Sequence, residues 1–157
     1  LAKALAEKYG MPIIYSTHPR SAKYIEKRKF TFHPLVRRLK PFGFSDYNRL
    51  QMEAYCCVSD SGTLPEESAY YHWKGEDIAA VCIRTSTERP EAMEKGAFIL
   101  AGIAKEQILQ AVETAVKMRE RGDFGETVPD YACNVSDKVV KIIQSYTGIV
   151  NKMVWRK

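Results

Sequence analysis

Residues 56–68, CCVSDSGTLPEES, pass from a short apolar run, Cys56–Val58, through Ser59-Asp60-Ser61-Gly62-Thr63 into a helix start. A strand that ends in Asp-Ser-Gly-Thr and opens a helix gathers backbone N–H groups, hydroxyls and the positive helix end around one point, which suits an anion such as phosphate. Gly62 permits close backbone approach, Ser61 and Thr63 supply hydroxyls, and Glu66 and Glu67 lie in the first helical turns. The same residues also read as an ordinary N-cap followed by acids that favour a helix start. On either reading the stretch is a strand, a turn and a helix.

The pattern repeats on both sides. Apolar runs of strand length at Pro12–Ser16, Leu35–Leu39, Ile78–Ile83 and Ala97–Leu100 alternate with helical patterns at Ser21–Lys27, Asp46–Ala54, Leu64–Trp73, Pro90–Lys95 and Lys105–Arg119. Such alternation predicts an α/β domain with a parallel sheet. The clearest helix carries Ile108, Leu109, Val112 and Val116 with Ala111 and Ala115 on one stripe. Arg121–Asn134 holds two glycines and a proline among scattered charges and reads as a loop. Beyond it Asn134 or Ser136 can cap a last helix bearing Val139, Val140, Ile142 and Ile143, followed by an apolar tail, Ile149–Lys157, that should dock on something. The chain opens at Leu1 inside a helical pattern that closes at Gly10, which reads as part of a longer protein.

A second strand end offers anion chemistry. Arg84–Gly96, RTSTERPEAMEKG, follows the buried-type run Ala79–Ile83 and places two arginines, two threonines and a serine where open α/β sheets bind ligands. A structural turn pairing Arg89 with Glu88 or Glu91 is the plainer alternative. After the Leu35–Leu39 run, KPFGFSDY (40–47) sets Phe42, Phe44 and Tyr47 around Gly43, a pattern that can hold a nucleobase between backbone and ring, or can simply be core. His18 ends the first strand run and so points to the same sheet edge, where it can bind an anion or act as an acid, whereas His72 reads as a helix-surface residue.

Composition bounds the rest. At 157 residues and 45% hydrophobic the chain can bury one sizeable core, and no apolar run approaches the ~20 residues of a membrane span. Residues 1–40 carry a net +8 and residues 41–157 a net −3. A basic first quarter can attract nucleic acid or a phosphorylated small molecule, but no zinc-finger spacing or RNA-binding signature accompanies it, so nucleic acid is not expected. Cys56, Cys57, Cys82 and Cys133 lack CxxC spacing, and neither HExxH nor Cys/His ligand spacing occurs. Reduced thiols in a cytoplasmic protein without a metal are the expectation.

STHPR (16–20), HPLVRRLKPFGFSDYNRLQ (33–51), VSDSGTLPEES (58–68), TERPEAMEKG (87–96) and NVSDKVVKIIQSYTGIVNKMVW (134–155) together resemble the non-hydrolysing UDP-N-acetylglucosamine 2-epimerases. Within that family the resemblance is greatest to the capsule and O-antigen branch acting on UDP-N-acetyl-6-deoxyhexosamines toward UDP-N-acetyl-L-fucosamine. It implies a three-layer Rossmann-like domain, the carboxy-terminal half of a glycosyltransferase-B-like (GT-B) fold. Residues 1–150 would be that UDP-binding domain without its first strand, and 151–157 its tail. The amino-terminal domain carrying the proton-transfer carboxylates would lie outside this chain.

Residue by residue, the resemblance implies that Ser61, Gly62 and Thr63 bind the diphosphate, Glu67 the ribose hydroxyls and Arg89 the nucleotide. It puts Phe42 and Tyr47 near uracil, and His18 in the cleft, where some relatives touch a regulatory nucleotide sugar. It further implies UDP and a UDP-N-acetylhexosamine as ligands, a homodimer of the full enzyme, and no metal or nicotinamide cofactor. A nucleotide-binding domain of a GT-B glycosyltransferase shares the architecture, and a non-enzymatic binding module is a further alternative. The pairing of DSGT-x-x-EE with TERPEA favours the epimerase.

Overall fold

The computed structural model of the chain describes every residue except Phe124, Ala132 and Cys133, so the expectations for Cys133 and for part of the 121–134 loop lie outside the described residues. In order, the elements are α1 (Ala2–Tyr9), β1 (Ile13–Ser16), α2 (Pro19–Lys27), β2 (Val36–Leu39), α3 (Phe44–Glu53), β3 (Cys57–Ser59), α4 (Leu64–Trp73), β4 (Ala80–Cys82), α5 (Pro90–Glu94), β5 (Ile99–Leu100), α6 (Lys105–Glu120), a 3-10 turn (Pro129–Tyr131) and α7 (Val135–Met153).

Local chemistry sets the helix boundaries. α1 ends at Gly10, whose φ of 62° is a left-handed conformation that glycine adopts without a Cβ penalty. α2 starts with Pro19 at its first position, where a missing N–H costs nothing, and His18 Nδ1 accepts the Arg20 N–H as cap. α4 follows the same logic, with Pro65 in its first turn and Glu66 and Glu67 facing the positive end of the helix dipole.

All strand pairing is parallel, as the alternation predicts. The strands do not form one continuous sheet: β1 pairs with β2, and β3, β4 and β5 form a separate ladder with β4 in the middle. Alternation specifies crossover connections and hence parallel strands, but carries no information about which strand lies beside which. The three-stranded ladder is covered on both faces. Ala80 and Cys82 point into a cluster with Leu64, Ala69, Tyr71, Ala92 and Phe98, while Ala79 and Val81 point into one with Ile108, Val112 and Val116. Helices α4 and α5 therefore cover one face and α6 the other, giving three layers.

The last helix differs from expectation. α7 runs unbroken for 19 residues to Met153, so Ile149–Met153 continue the helix rather than form a tail, and position 150 is not a structural boundary. Gly148 does not end it, because an interior glycine costs a helix only about 1 kcal/mol. Asn134, not Ser136, is the cap, its Oδ1 accepting the Asp137 N–H. No α7 residue is buried, and Val140, Ile143 and Ile149 are each more than half exposed. No helix among the described residues is long and apolar enough to cross a membrane.

Cys56, Cys57 and Cys82 are free thiols. Burial pushes Cys56 and Cys57 up to about 12, with the Glu67 carboxylate adding to the shift at Cys57, and burial also raises Cys82. Because thiolate is the reactive form, iodoacetamide at pH 8 is expected to alkylate these three at least an order of magnitude more slowly in the folded chain than in urea, measured by peptide mass spectrometry. The same shift makes stability pH-dependent. The unfolded thiols ionise near 9 while the folded ones do not, so stability is fully present below that value and falls as pH rises toward 12.

Candidate functional site

The carboxyl ends of β3 and β4 are neighbours in a parallel ladder, so the turn after β3 (60–63) and the loop after β4 (83–89) face each other. Within the turn the hydroxyls form a directed chain. Thr63 Oγ1 donates to Glu67 Oε1 at 2.8 Å, which leaves the Ser61 hydroxyl to donate to Thr63 Oγ1 at 2.9 Å. Ser61 Oγ accepts the Thr63 N–H at 3.3 Å, and Ser59 Oγ accepts the Ser61 N–H at 3.0 Å. The expectation of hydroxyls gathered at the start of α4 is therefore met, and their chain ends on Glu67, which accepts from Thr63.

Glu67 is pinned from the other side as well. The amide Nε2 of buried Gln51, on α3, donates to Glu67 Oε2 at 2.6 Å and to Tyr47 Oη at 3.2 Å. Tyr71 Oη lies between Gln51 Oε1 and Asn48 Oδ1. Burial, reinforced by the Glu67 carboxylate, pushes the Tyr47 phenol up to about 12 and raises Tyr71, so both rings stay neutral at physiological pH. A carboxylate held by one donor per oxygen keeps lone pairs open and can accept hydrogen bonds from two neighbouring hydroxyls of a ligand.

The loop after β4 supplies two arginines, each held by a carboxylate. Arg84 makes a bidentate pair with Glu88, at 2.8 Å from Nη1 and 2.6 Å from Nη2. Arg89 donates through Nε to Glu66 on α4 and through Nη1 to the Glu88 carbonyl at 3.1 Å. Arg89 thus ties the loop to α4 instead of pairing with Glu88 or Glu91 side chains; Glu91 accepts the Tyr131 hydroxyl at 2.5 Å. These partners raise the Arg84 and Arg89 pKa values and lower those of Glu88 and Glu91. Gly62 has no left-handed backbone; a Cβ there would lie 3.4 Å from Arg84 Nη1, an ordinary contact distance that shows how near the guanidinium stands to the turn.

Of the sequence candidates, Ser61, Gly62, Thr63 and Glu67 come together, Tyr47 joins them through Gln51, and Arg89 is held on α4 by Glu66, the residue before Glu67. Phe42 lies half-buried in the segment before α3, and among the described residues no hydrogen bond or ring contact links it to this cluster. His18 sits at the end of β1 in the other ladder, exposed and engaged in capping α2. Arg84 stands among the anion candidates of the sequence, but its pairing with Glu88 and the role of Gln51 emerge only in the structure. The pair is visible as an i, i+4 spacing; Gln51 resembles any polar helix residue until its burial is known.

Beside the cluster, a hollow of about 500 Å³ lies at the carboxyl ends of β4 and β5, lined by Arg84, Thr85, Gly102, Gln107, Gln110 and Thr114. Only Arg84 belongs to both. Among the described residues no three His, Cys, Asp or Glu side chains are placed to hold a metal ion.

Residues 1–144 match the family model described as UDP-N-acetylglucosamine 2-epimerase. A UDP-N-acetylglucosamine 2-epimerase of Methanocaldococcus jannaschii is 32% identical over 127 residues, spanning 77% of this chain and 33% of that protein. The structure of UDP-N-acetylglucosamine 2-epimerase from Rickettsia bellii superposes on 99% of this chain and 42% of its own, with 36% identity and a TM-score of 0.73. The Methanocaldococcus jannaschii enzyme in complex with UDP-GlcNAc and UDP covers 90% of this chain and 38% of its own, at 27% identity and a TM-score of 0.67. The chain spans about a third of the length of the curated relatives it matches. With a family match across nearly all its residues and the same parallel α/β architecture, the chain belongs to the UDP-N-acetylglucosamine 2-epimerase family.

Proposed function

We propose that this chain is the UDP-holding part of a UDP-N-acetylhexosamine 2-epimerase, with the diphosphate at Ser61–Thr63 and the ribose hydroxyls on Glu67. The observation that carries the reading is the hydroxyl chain from Ser61 through Thr63 to a Glu67 carboxylate fixed by Gln51, at the positive end of α4. Arg89 fixes the second loop against α4 near the nucleotide. Tyr47 and Phe42 flank the uracil side, and His18 lines the cleft. A solved relative in complex with UDP-GlcNAc and UDP is consistent with this ligand class.

The chemistry follows from the substrate. The C2 proton of an N-acetylhexosamine has no adjacent carbonyl, so deprotonation and simple return is too costly. Loss of the proton at C2 with departure of UDP from C1 gives a glycal; return of a proton on the opposite face with re-addition of UDP gives the epimer. The diphosphate gains negative charge as it leaves; the positive end of α4 stabilises that charge, and the Ser61 and Thr63 hydroxyls, which donate within the turn in the empty site, turn their protons toward the diphosphate to hold UDP for return. The base belongs to the remainder of the longer enzyme. The finer substrate choice within this proposal is a 6-deoxy sugar on the route to UDP-N-acetyl-L-fucosamine, handled by a homodimer.

The chain alone is expected to bind UDP and to leave UDP-GlcNAc unchanged. Proton NMR in deuterium oxide checks this: neither a second epimer nor loss of the C2 proton signal should appear. Epimer formation by the chain alone would overturn the assignment of the base to another part of the enzyme.

A further inference from the structure

The two Arg–Glu pairs around the turn are built differently. Arg89–Glu66 joins two elements 23 positions apart, with both side chains partly covered. Arg84–Glu88 lies within one loop at i, i+4; its carboxylate side chain is 60% exposed while the arginine is only 29% exposed. The arginine side chain is the less exposed member of the pair. It is the group that a Cβ on Gly62 would meet, so it closes over the same turn that carries the Ser61 and Thr63 hydroxyls.

We infer that Glu88 is a built-in substitute anion: it occupies the Arg84 guanidinium while the site is empty and gives it up to the diphosphate when UDP binds. This rests on the reading of Ser61–Thr63 as the diphosphate turn, and it adds Arg84 to the residues that touch the ligand. Three physical points support it. An exposed ion pair contributes little to stability and is readily exchanged. A guanidinium presents the same fork to a phosphate as to a carboxylate, so Arg84 can change partners without rebuilding its hydrogen-bond geometry. Left unpaired, Arg84 would stand close to the α4 N-terminus, two positive ends near one point; Glu88 balances them until an anion arrives. The exchange also returns a free carboxylate to solvent at the rim, where its charge opposes a second anion.

The test is calorimetric titration of the chain and its E88Q, R84Q and R84Q/E88Q variants with UDP, inorganic pyrophosphate and uridine. Exchange predicts that E88Q binds UDP and pyrophosphate three- to fivefold more tightly, because nothing competes for Arg84. It predicts that R84Q binds both at least tenfold more weakly, and that uridine is unaffected by either change. The gain from E88Q should vanish in the R84Q background. A gain of the same size in both backgrounds would mean that Glu88 acts through its charge alone, and would overturn the exchange. Wild-type affinity in R84Q would overturn the role of Arg84 while leaving the UDP reading intact. Failure of wild type and E88Q alike to bind UDP or pyrophosphate would overturn both. Unchanged thermal midpoints of the variants would exclude a folding defect as the cause of weaker binding.

Discussion

Replacing Glu67 with alanine is expected to weaken UDP binding by about 100-fold or more, because two hydrogen bonds from ribose hydroxyls to a charged acceptor contribute roughly 1.5–3 kcal/mol each. The loss extends beyond the ligand. Thr63 Oγ1 and Gln51 Nε2 both donate to this carboxylate, and Gln51 is only 4% exposed. Leaving a buried amide N–H unpaired costs about 1–3 kcal/mol of stability. Glu67→Gln keeps the volume but turns an amide donor toward either Gln51 or Thr63, so its affinity should lie between wild type and alanine. Titration calorimetry with UDP, paired with urea unfolding, measures both effects. UDP affinity in Glu67→Ala equal to wild type would remove the ribose role of this residue.

The largest stability effect belongs to Leu64, the first residue of α4 and completely buried against the cluster formed with Ala69, Tyr71, Ile78 and Ala80. Truncation to alanine should cost about 2–5 kcal/mol, the usual range for a fully buried leucine whose surroundings cannot collapse into the cavity. Domains have about 5–15 kcal/mol in total, so the variant retains only a fraction of its folding free energy. The position couples packing to the site: Leu64 directly follows the turn and fixes the α4 N-terminus against the sheet. UDP affinity measured well below the unfolding transition should therefore also fall. The same substitution at half-buried Leu109 on α6 should cost less and leave UDP affinity unchanged. Urea midpoints compared at equal m-values provide the measurement.

Much of this was legible because the strands are short apolar runs closed by turn chemistry and several helices open on a proline or a capping side chain, although α1, α3 and α6 have no side-chain cap. Thr63-Leu64-Pro65 marks the α4 start where the sequence puts it, whereas α2 begins at Pro19, two residues before the expected Ser21, because proline is well suited to the first helical position. The turn at Ser61–Thr63 was legible for the same reason: hydroxyls, a glycine and two acids at a strand end constrain chemistry locally. What depended on non-local neighbours was not. Which strands pair, and so whether His18 at the end of β1 shares an edge with Ser61 at the end of β3, is decided by packing between distant segments. Gln51 is a polar residue on a helix whose exposed face is also polar, so nothing in the local pattern shows that it points inward at Glu67. The pairing of Arg89 with Glu66, 23 positions away, competes with two nearer acids at positions 88 and 91, and spacing alone cannot rank them. The final helix ran on past its expected end because no proline follows it and Gly148 is tolerated within it.

The most direct test of the central claim is an amide chemical-shift titration of the chain with UDP. Saturable shifts are expected, concentrated at Ser61–Glu67 and Arg84–Arg89, reaching Tyr47 and Gln51 through Glu67, and weakened by Glu67→Ala and Arg89→Ala. Absence of shifts at millimolar UDP, or shifts confined to the hollow beside α6, would contradict the claim.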